Sequence, residues 1–184
     1  MGFDALIVID MQTALVGRHP CNEVETVASV GRLVRAARAA GVPVLYVRHD
    51  GGAGDELEAG TDGWQICAEL APLEGERVFE KRFNSAFRQT ELHDHLRRIG
   101  ARSLVMCGMQ TEFCFDVSVK VAFELGYEAM VPKGAVTTFD SAFAKGGDLT
   151  AYFEDCIWNG RYARVLPLDE VLAGLERGPR LARG

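Results

Sequence analysis

The sequence contains no apolar run that approaches the roughly 18 residues of a membrane span, which argues against a transmembrane helix and a membrane partner. It also lacks a basic surplus: 20 Lys+Arg stand against 26 Asp+Glu in 184 residues, a formal charge of −6. Like charges are not gathered in blocks, so a nucleic-acid partner, which calls for a basic face, is not expected. The five cysteines (Cys21, Cys67, Cys107, Cys114 and Cys156) form an odd set with no CxxC pair. That excludes a disulfide framework or a structural zinc site as the organising element. Histidine is scarce at four residues. His93 and His95 lie two apart on a helical stretch and point to different sides, and His49 with Asp50 has no further histidine close by, so no metal is expected. The glycines of GGAG at 51–54 follow a strand but open no helix and match neither GxGxxG nor a Walker loop, so no phosphate-bearing cofactor is expected. The opening MGFDALIVID has no basic leader and no small-residue cleavage site, and reads as the first strand of a cytosolic protein. No internal repeat, low-complexity tract or linker interrupts the chain.

What is present is a 48% hydrophobic fraction arranged in short β-rich runs and amphipathic helices. A chain of this length buries roughly 70% of its unfolded surface, enough for one compact soluble domain over residues 1–184. Strands are expected at 5–9, 43–47, 77–81, 103–107, 127–131 and 163–166. Between them, apolar residues at three- and four-residue steps mark a helix through Val24, Val27, Val30, Leu33, Val34 and Ala37 that stops at Gly41. Further helices are expected at 90–99, 111–125, 140–155 and 168–175. Residues 49–63 read as a polar, glycine-rich loop lying over something, and the tail RGPRLARG as a frayed end. Strand and helix in alternation imply right-handed crossovers and an α/β fold with a mostly parallel sheet covered on both faces.

In such a sheet ligands bind beyond the carboxyl ends of the strands, so the residues that end strands are the informative ones. Asp10 follows ALIVI, Lys81 follows VFE, and Cys114 lies in QTEFC after the run SLVMCGM. His49 and Asp50 follow PVLYVR, and Lys133 follows AMVP. With Thr111 as helix N-cap, Cys114 falls in the first turn, where free N–H groups and the helix dipole favour a thiolate. The same turn, from Gln110 to Cys114, can receive the oxygen of a tetrahedral intermediate. Each group has a plainer use: Cys114 as a buried helix cysteine, Asp10 as a turn cap, Lys81 as a solvated partner of Glu80. Together they form a coherent set. The carboxylate takes the thiol proton, the ammonium keeps the carboxylate ionised, and the sulfur attacks a carbonyl carbon. Cys107, inside a strand, reads as core. Trp64, Phe83, Phe87 and Phe113 are candidate pocket walls, or plain packing.

Three motifs in this order, IDMQ around Asp10, EKRFNSAF around Lys81 and GMQTEFC around Cys114, followed by AFELGYEAMVPKGAVTTFDS, resemble the isochorismatase-like cysteine hydrolases, relatives of nicotinamidase and N-carbamoylsarcosine amidase. The likeness covers residues from about 5 to 140. It implies a three-layer α/β/α fold with a six-stranded parallel sheet in the order 3-2-1-4-5-6, and an Asp10, Lys81, Cys114 triad working through a thioester. It further implies a cis peptide between Met109 and Gln110, with an oxyanion hole formed by the N–H groups of Gln110 and Cys114. The metal-binding histidines of the nicotinamidases do not follow Asp50. Ser118 replaces a usual threonine, Lys133-Gly134 a usual Asp-Ala, and Trp158-Asn159 a frequent His-Asn.

The expected activity is cleavage of a C–N bond in a small amide, ureide or lactam, without metal or cofactor. The resemblance also carries two alternatives: a vinyl-ether hydrolase of the isochorismatase type, which uses the aspartate without a cysteine, and a non-catalytic thiol sensor or interaction protein. Relatives are usually homo-oligomers, so a dimer or tetramer is expected, with a small-molecule amide as substrate.

Overall fold

The structure, a computed structural model, describes residues 2–179; the expected frayed tail lies, from residue 180 onward, outside the described residues. Strand β1 (Ala5–Ile9) is buried throughout, and its alternation assigns the two faces of the sheet. Leu6 and Val8 point into one apolar cluster and Ala5, Ile7 and Ile9 into the other. This is the period of two expected of a strand covered on both sides. After the single turn α1 (Thr13–Val16), helix α2 (Glu23–Ala39) presents Val30, Leu33, Val34 and Ala37 to the first cluster. Strands β2 (Val44–His49) and β3 (Arg77–Lys81) follow, the latter leading to the short helix α3 (Leu92–Arg98). Leu92 and Leu96 of α3 belong to the second cluster.

Strand β4 (Ser103–Met109) is fully buried and runs into a π-helical turn at Thr111–Phe115, which continues as α4 (Asp116–Glu124). Strands β5 (Glu128–Pro132) and β6 (Val136–Thr137) precede α5 (Gly146–Tyr152), a second π-helical turn at Phe153–Trp158, strand β7 (Arg164–Leu166) and α6 (Leu168–Leu175). The sheet order is β3-β2-β1-β4-β5-β7, every described pairing between named strands being parallel. This is the 3-2-1-4-5-6 order, with β7 as sixth strand.

Three expectations change in detail. The two-residue β6 is an added strand, pairing Gly108 with Val136 and Met109 with Thr137; it is too short to show a period in sequence. The helix expected at 140–155 starts only at Gly146, because Asp140 accepts hydrogen bonds from the Gly146 N–H and the Lys145 ammonium and so closes a loop ahead of it. Thr111 does not cap its helix. Gln110 occupies the cap position in extended conformation, and the Thr111 hydroxyl is hydrogen-bonded to that of Thr150 at 2.8 Å. Among the described residues no helix is long and apolar enough to cross a membrane.

Candidate active site

Parallel register brings four strand ends to one edge. Ile9 of β1 lies beside Val47 of β2 and Gly108 of β4, and His49 of β2 lies beside Lys81 of β3. Asp10 leaves β1 with φ 52, a left-handed conformation that Asp tolerates better than most residues and that ends the strand at the carboxylate. The next strand must come close at this point. A Cβ on Gly108 would stand 2.0 Å from the Ile9 carbonyl oxygen, so only glycine fits. The Met109–Gln110 peptide that follows is cis.

The centre of the site is the Lys81 ammonium. Its side chain has no solvent exposure, and Nζ lies 2.7 Å from Asp10 Oδ2, whose side chain is 2% exposed. Nζ also donates to Cys114 Sγ at 3.0 Å and lies 3.1 Å from His49 Nδ1. Burial works to lower the Lys81 pKa, but the Asp10 carboxylate and Cys114 outweigh it, and the ammonium ends above its ordinary value. Asp10 Oδ1, also buried, has no hydrogen-bond partner and is the acceptor left over in the cluster.

The thiol departs from the sequence expectation. Burial, reinforced by the Asp10 carboxylate and opposed by Lys81, pushes Cys114 up to about 12. The helix-terminus argument for a resting thiolate therefore fails. Cys114 sits in a π-helical turn, where the loss of water costs the anion more than the Lys81 ammonium returns. At rest the proton stays on sulfur, and the site has a base beside it rather than a preformed nucleophile.

Asp10, His49 and Cys114 line a cleft of about 200 Å³ together with Leu15, Leu57, Asn84, Gln110 and Phe113, and the Lys81 ammonium lies buried behind these three groups. Of the four aromatic residues expected to wall the pocket, Phe113 does so and is half exposed at its mouth. Phe83 and Phe87 line instead a neighbouring groove with Val117, Val121 and Arg88, which meets the cleft at Asn84. Trp64 is buried beneath the Arg48 guanidinium, 3.2 Å from its ring centroid, and is not a cleft wall. Cys107 is core, as its place inside β4 implied.

Three further residues matter that no motif argument singled out for a role. Gln12 acts as a backbone mimic: its Nε2 donates to the carbonyls of His49 and Trp64, each at 2.9 Å, and its Oε1 accepts from the His49 N–H at 2.8 Å. It thereby ties the loop of residues 50–66 over the cleft, where Leu57 becomes a wall. Asn84 Oδ1 faces Cys114 Sγ at 3.8 Å. His49 was visible as a strand-end residue, but its contact with Lys81 depends on the β2–β3 register. Burial and then the Lys81 charge hold the His49 pKa below its ordinary value.

Asp10, His49 and Cys114 offer ligand-type atoms all within 4.8 Å of one another. They do not suit a metal ion, because the Lys81 ammonium stands within 2.7–3.1 Å of each and fills a cation's place among them.

Residues 4–151 match a family model described as the isochorismatase domain. A streptothricin hydrolase from Streptomyces noursei is 33% identical over 144 residues, which is 77% of this chain but only 57% of that protein's length. A solved isochorismatase from Pseudomonas putida KT2440 superposes with a TM-score of 0.85 at 31% identity, covering 90% of this chain and 88% of the other. N-carbamoylsarcosine amidase from Thermoplasma acidophilum superposes with a TM-score of 0.73 at 25% identity, covering 90% and 96%.

Proposed function

The chain belongs to the isochorismatase family, and from that premise we propose that it is a cysteine hydrolase cleaving a C–N bond of a small amide, ureide or lactam. The observation that carries this reading is the single buried ammonium bonded to both Asp10 and Cys114. Asp10 Oδ1 takes the proton from Sγ as sulfur attacks the carbonyl carbon. The oxygen of the tetrahedral intermediate is received by the N–H groups of Gln110 and Cys114. Collapse breaks the C–N bond, Asp10 returns the proton to the departing nitrogen, and a thioester remains. Water, deprotonated by Asp10, then attacks the thioester and releases the acid and the thiol. Lys81, paired with Asp10 and bonded to Cys114, lowers the cost of negative charge on sulfur. The N-carbamoylsarcosine amidase among its structural neighbours supports the bond class, and the streptothricin hydrolase among its relatives supports hydrolysis. A reducing compartment such as the cytoplasm suits a mechanism that needs a free thiol at Cys114.

The high thiol pKa argues against the sensor alternative, since oxidant-sensing cysteines are low-pKa and accessible. The thiol's place in the cleft argues against a cysteine-independent vinyl-ether hydrolase. A panel of small amides, ureides and lactams followed by ammonia or amine release tests the reading. Turnover is expected from the natural sequence and loss of at least a thousandfold from Cys114→Ala, with the circular dichroism unchanged. Substantial hydrolysis by Cys114→Ala, or turnover of isochorismate that survives it, overturns the cysteine mechanism.

A further inference from the structure

An ammonium has three N–H donors, and in this site each has its own acceptor: Asp10 Oδ2 at 2.7 Å, Cys114 Sγ at 3.0 Å and His49 Nδ1 at 3.1 Å. Because the ammonium has no lone pair, His49 Nδ1 must be the acceptor, which places the imidazole proton on Nε2 and leaves the ring neutral. The ring is held there by construction. The backbone of His49 is bonded on both sides by the Gln12 side chain, N–H to Oε1 and carbonyl to Nε2. The remaining cleft walls, Leu15, Leu57, Asn84, Gln110 and Phe113, bring no second cation. The nearby Arg82 guanidinium is paired with Asp50 at 2.8 Å.

We propose that His49 is a specificity-determining residue: by taking the third N–H of Lys81 it leaves the cleft without a free cationic donor, and so restricts the site to uncharged substrates. A carboxylate entering the cleft would meet the Asp10 charge and find no cation to pair with, and a buried charge without a counter-ion is costly. A neutral amide meets no such penalty, and Asn84 and Gln110 can exchange hydrogen bonds with it. The inference deepens the amide-hydrolase reading and rests on it for the identity of the bond cleaved; its test needs no turnover.

Iodoacetamide and iodoacetate are near-identical in size and differ in charge. Each alkylates sulfur by the same displacement, an S–C bond forming as C–I breaks, with iodide leaving and the thiol proton lost to base. Their rates at Cys114, measured by peptide mass mapping in a Cys156→Ser background that removes the exposed thiol, give a ratio to be compared with that of glutathione. The ratio is expected to favour iodoacetamide at least tenfold more than glutathione does. His49→Ala, which frees one N–H, is expected to cut this preference at least threefold by relative gain for iodoacetate. His49→Gln, whose amide oxygen can accept that N–H, is expected to keep it. A general loosening of the site would change both rates together and leave the ratio alone. A ratio equal to that of glutathione in the natural sequence overturns the proposal even if the Ala variant does not fold. An unchanged ratio in a folded Ala variant, or a Gln variant that behaves like Ala, also overturns it. If the ratios behave as expected while no amide is hydrolysed, it is the amide-hydrolase reading that fails and the charge selection that stands.

Discussion

Replacing Lys81 by methionine tests the centre of the site directly. The substitution preserves side-chain length and removes the charge, so it strands the Asp10 carboxylate in a place where its side chain is 2% exposed. At 2.7 Å and an effective dielectric constant of about 20, the lost attraction is on the order of 6 kcal/mol before relaxation. Removal of one partner from a buried pair costs about 3–5 kcal/mol in practice. Cys114 Sγ and His49 Nδ1 lose their donor as well, so the upper part of that range is expected. Urea unfolding followed by fluorescence of the buried Trp64 and Trp158 reads the change. With a slope of about 2 kcal/mol per M, the midpoint falls by about 2–2.5 M. The Asp10→Asn, Lys81→Met double variant removes the stranded charge, and Asn tolerates the left-handed backbone at position 10. It is expected to recover more than half of the loss, while remaining inactive. A single variant that loses less than about 1 kcal/mol at unchanged slope, or a double variant no better than the single one, would refute a dry, tightly paired ammonium.

Gly108→Ala should be far costlier than Gly126→Ala, although both glycines have positive φ. A Cβ at 108 meets the Ile9 backbone oxygen at 2.0 Å, whereas at 126 it meets nothing within 4 Å. Thermal unfolding is expected to show a loss of at least about 3 kcal/mol for the first and about 1 kcal/mol for the second; equal losses would contradict the close approach of β1 and β4. The Cys114 thiol, raised by burial and by Asp10 from an ordinary 9.0 to about 12, also makes stability depend on alkaline pH. The unfolded thiol ionises first, so this contribution is complete below pH 9 and is lost as pH rises through about 12. The slope is at most about 1.4 kcal/mol per pH unit. The difference in stability between the natural sequence and Cys114→Ala should therefore shrink above pH 9, and a difference that stays flat would rule out the raised thiol.

The positions of the strands along the chain and the placing of Asp10, Lys81 and Cys114 just beyond strand ends were legible because each depends on local signals, whereas the order of the strands in the sheet came only from the family resemblance. ALIVI and SLVMCGM are apolar runs too short for buried helices, and each is followed within a few residues by a chemically distinct group. The ionisation of Cys114 was not legible. From the chain alone its helix-start position argues for a thiolate, whereas its actual state follows from burial and from the carboxylate that β1 delivers from more than a hundred residues away. The pocket walls were equally hidden. Phe83, Phe87 and Phe113 look alike in sequence, and only the turn after β3 and the π-helical turn before α4 send the first two to the groove and the third to the cleft.

The sequence by itself determined a parallel α/β architecture and the three reactive side chain types at its active edge, because hydrophobic period and strand ends are properties of neighbouring residues. Only the tertiary structure decided that one ammonium serves an aspartate, a cysteine and a histidine at once, that a glutamine side chain ties the covering loop, and that the resting sulfur keeps its proton. Those facts depend on register between strands and on the exclusion of water, and neither is encoded by any segment of the chain alone.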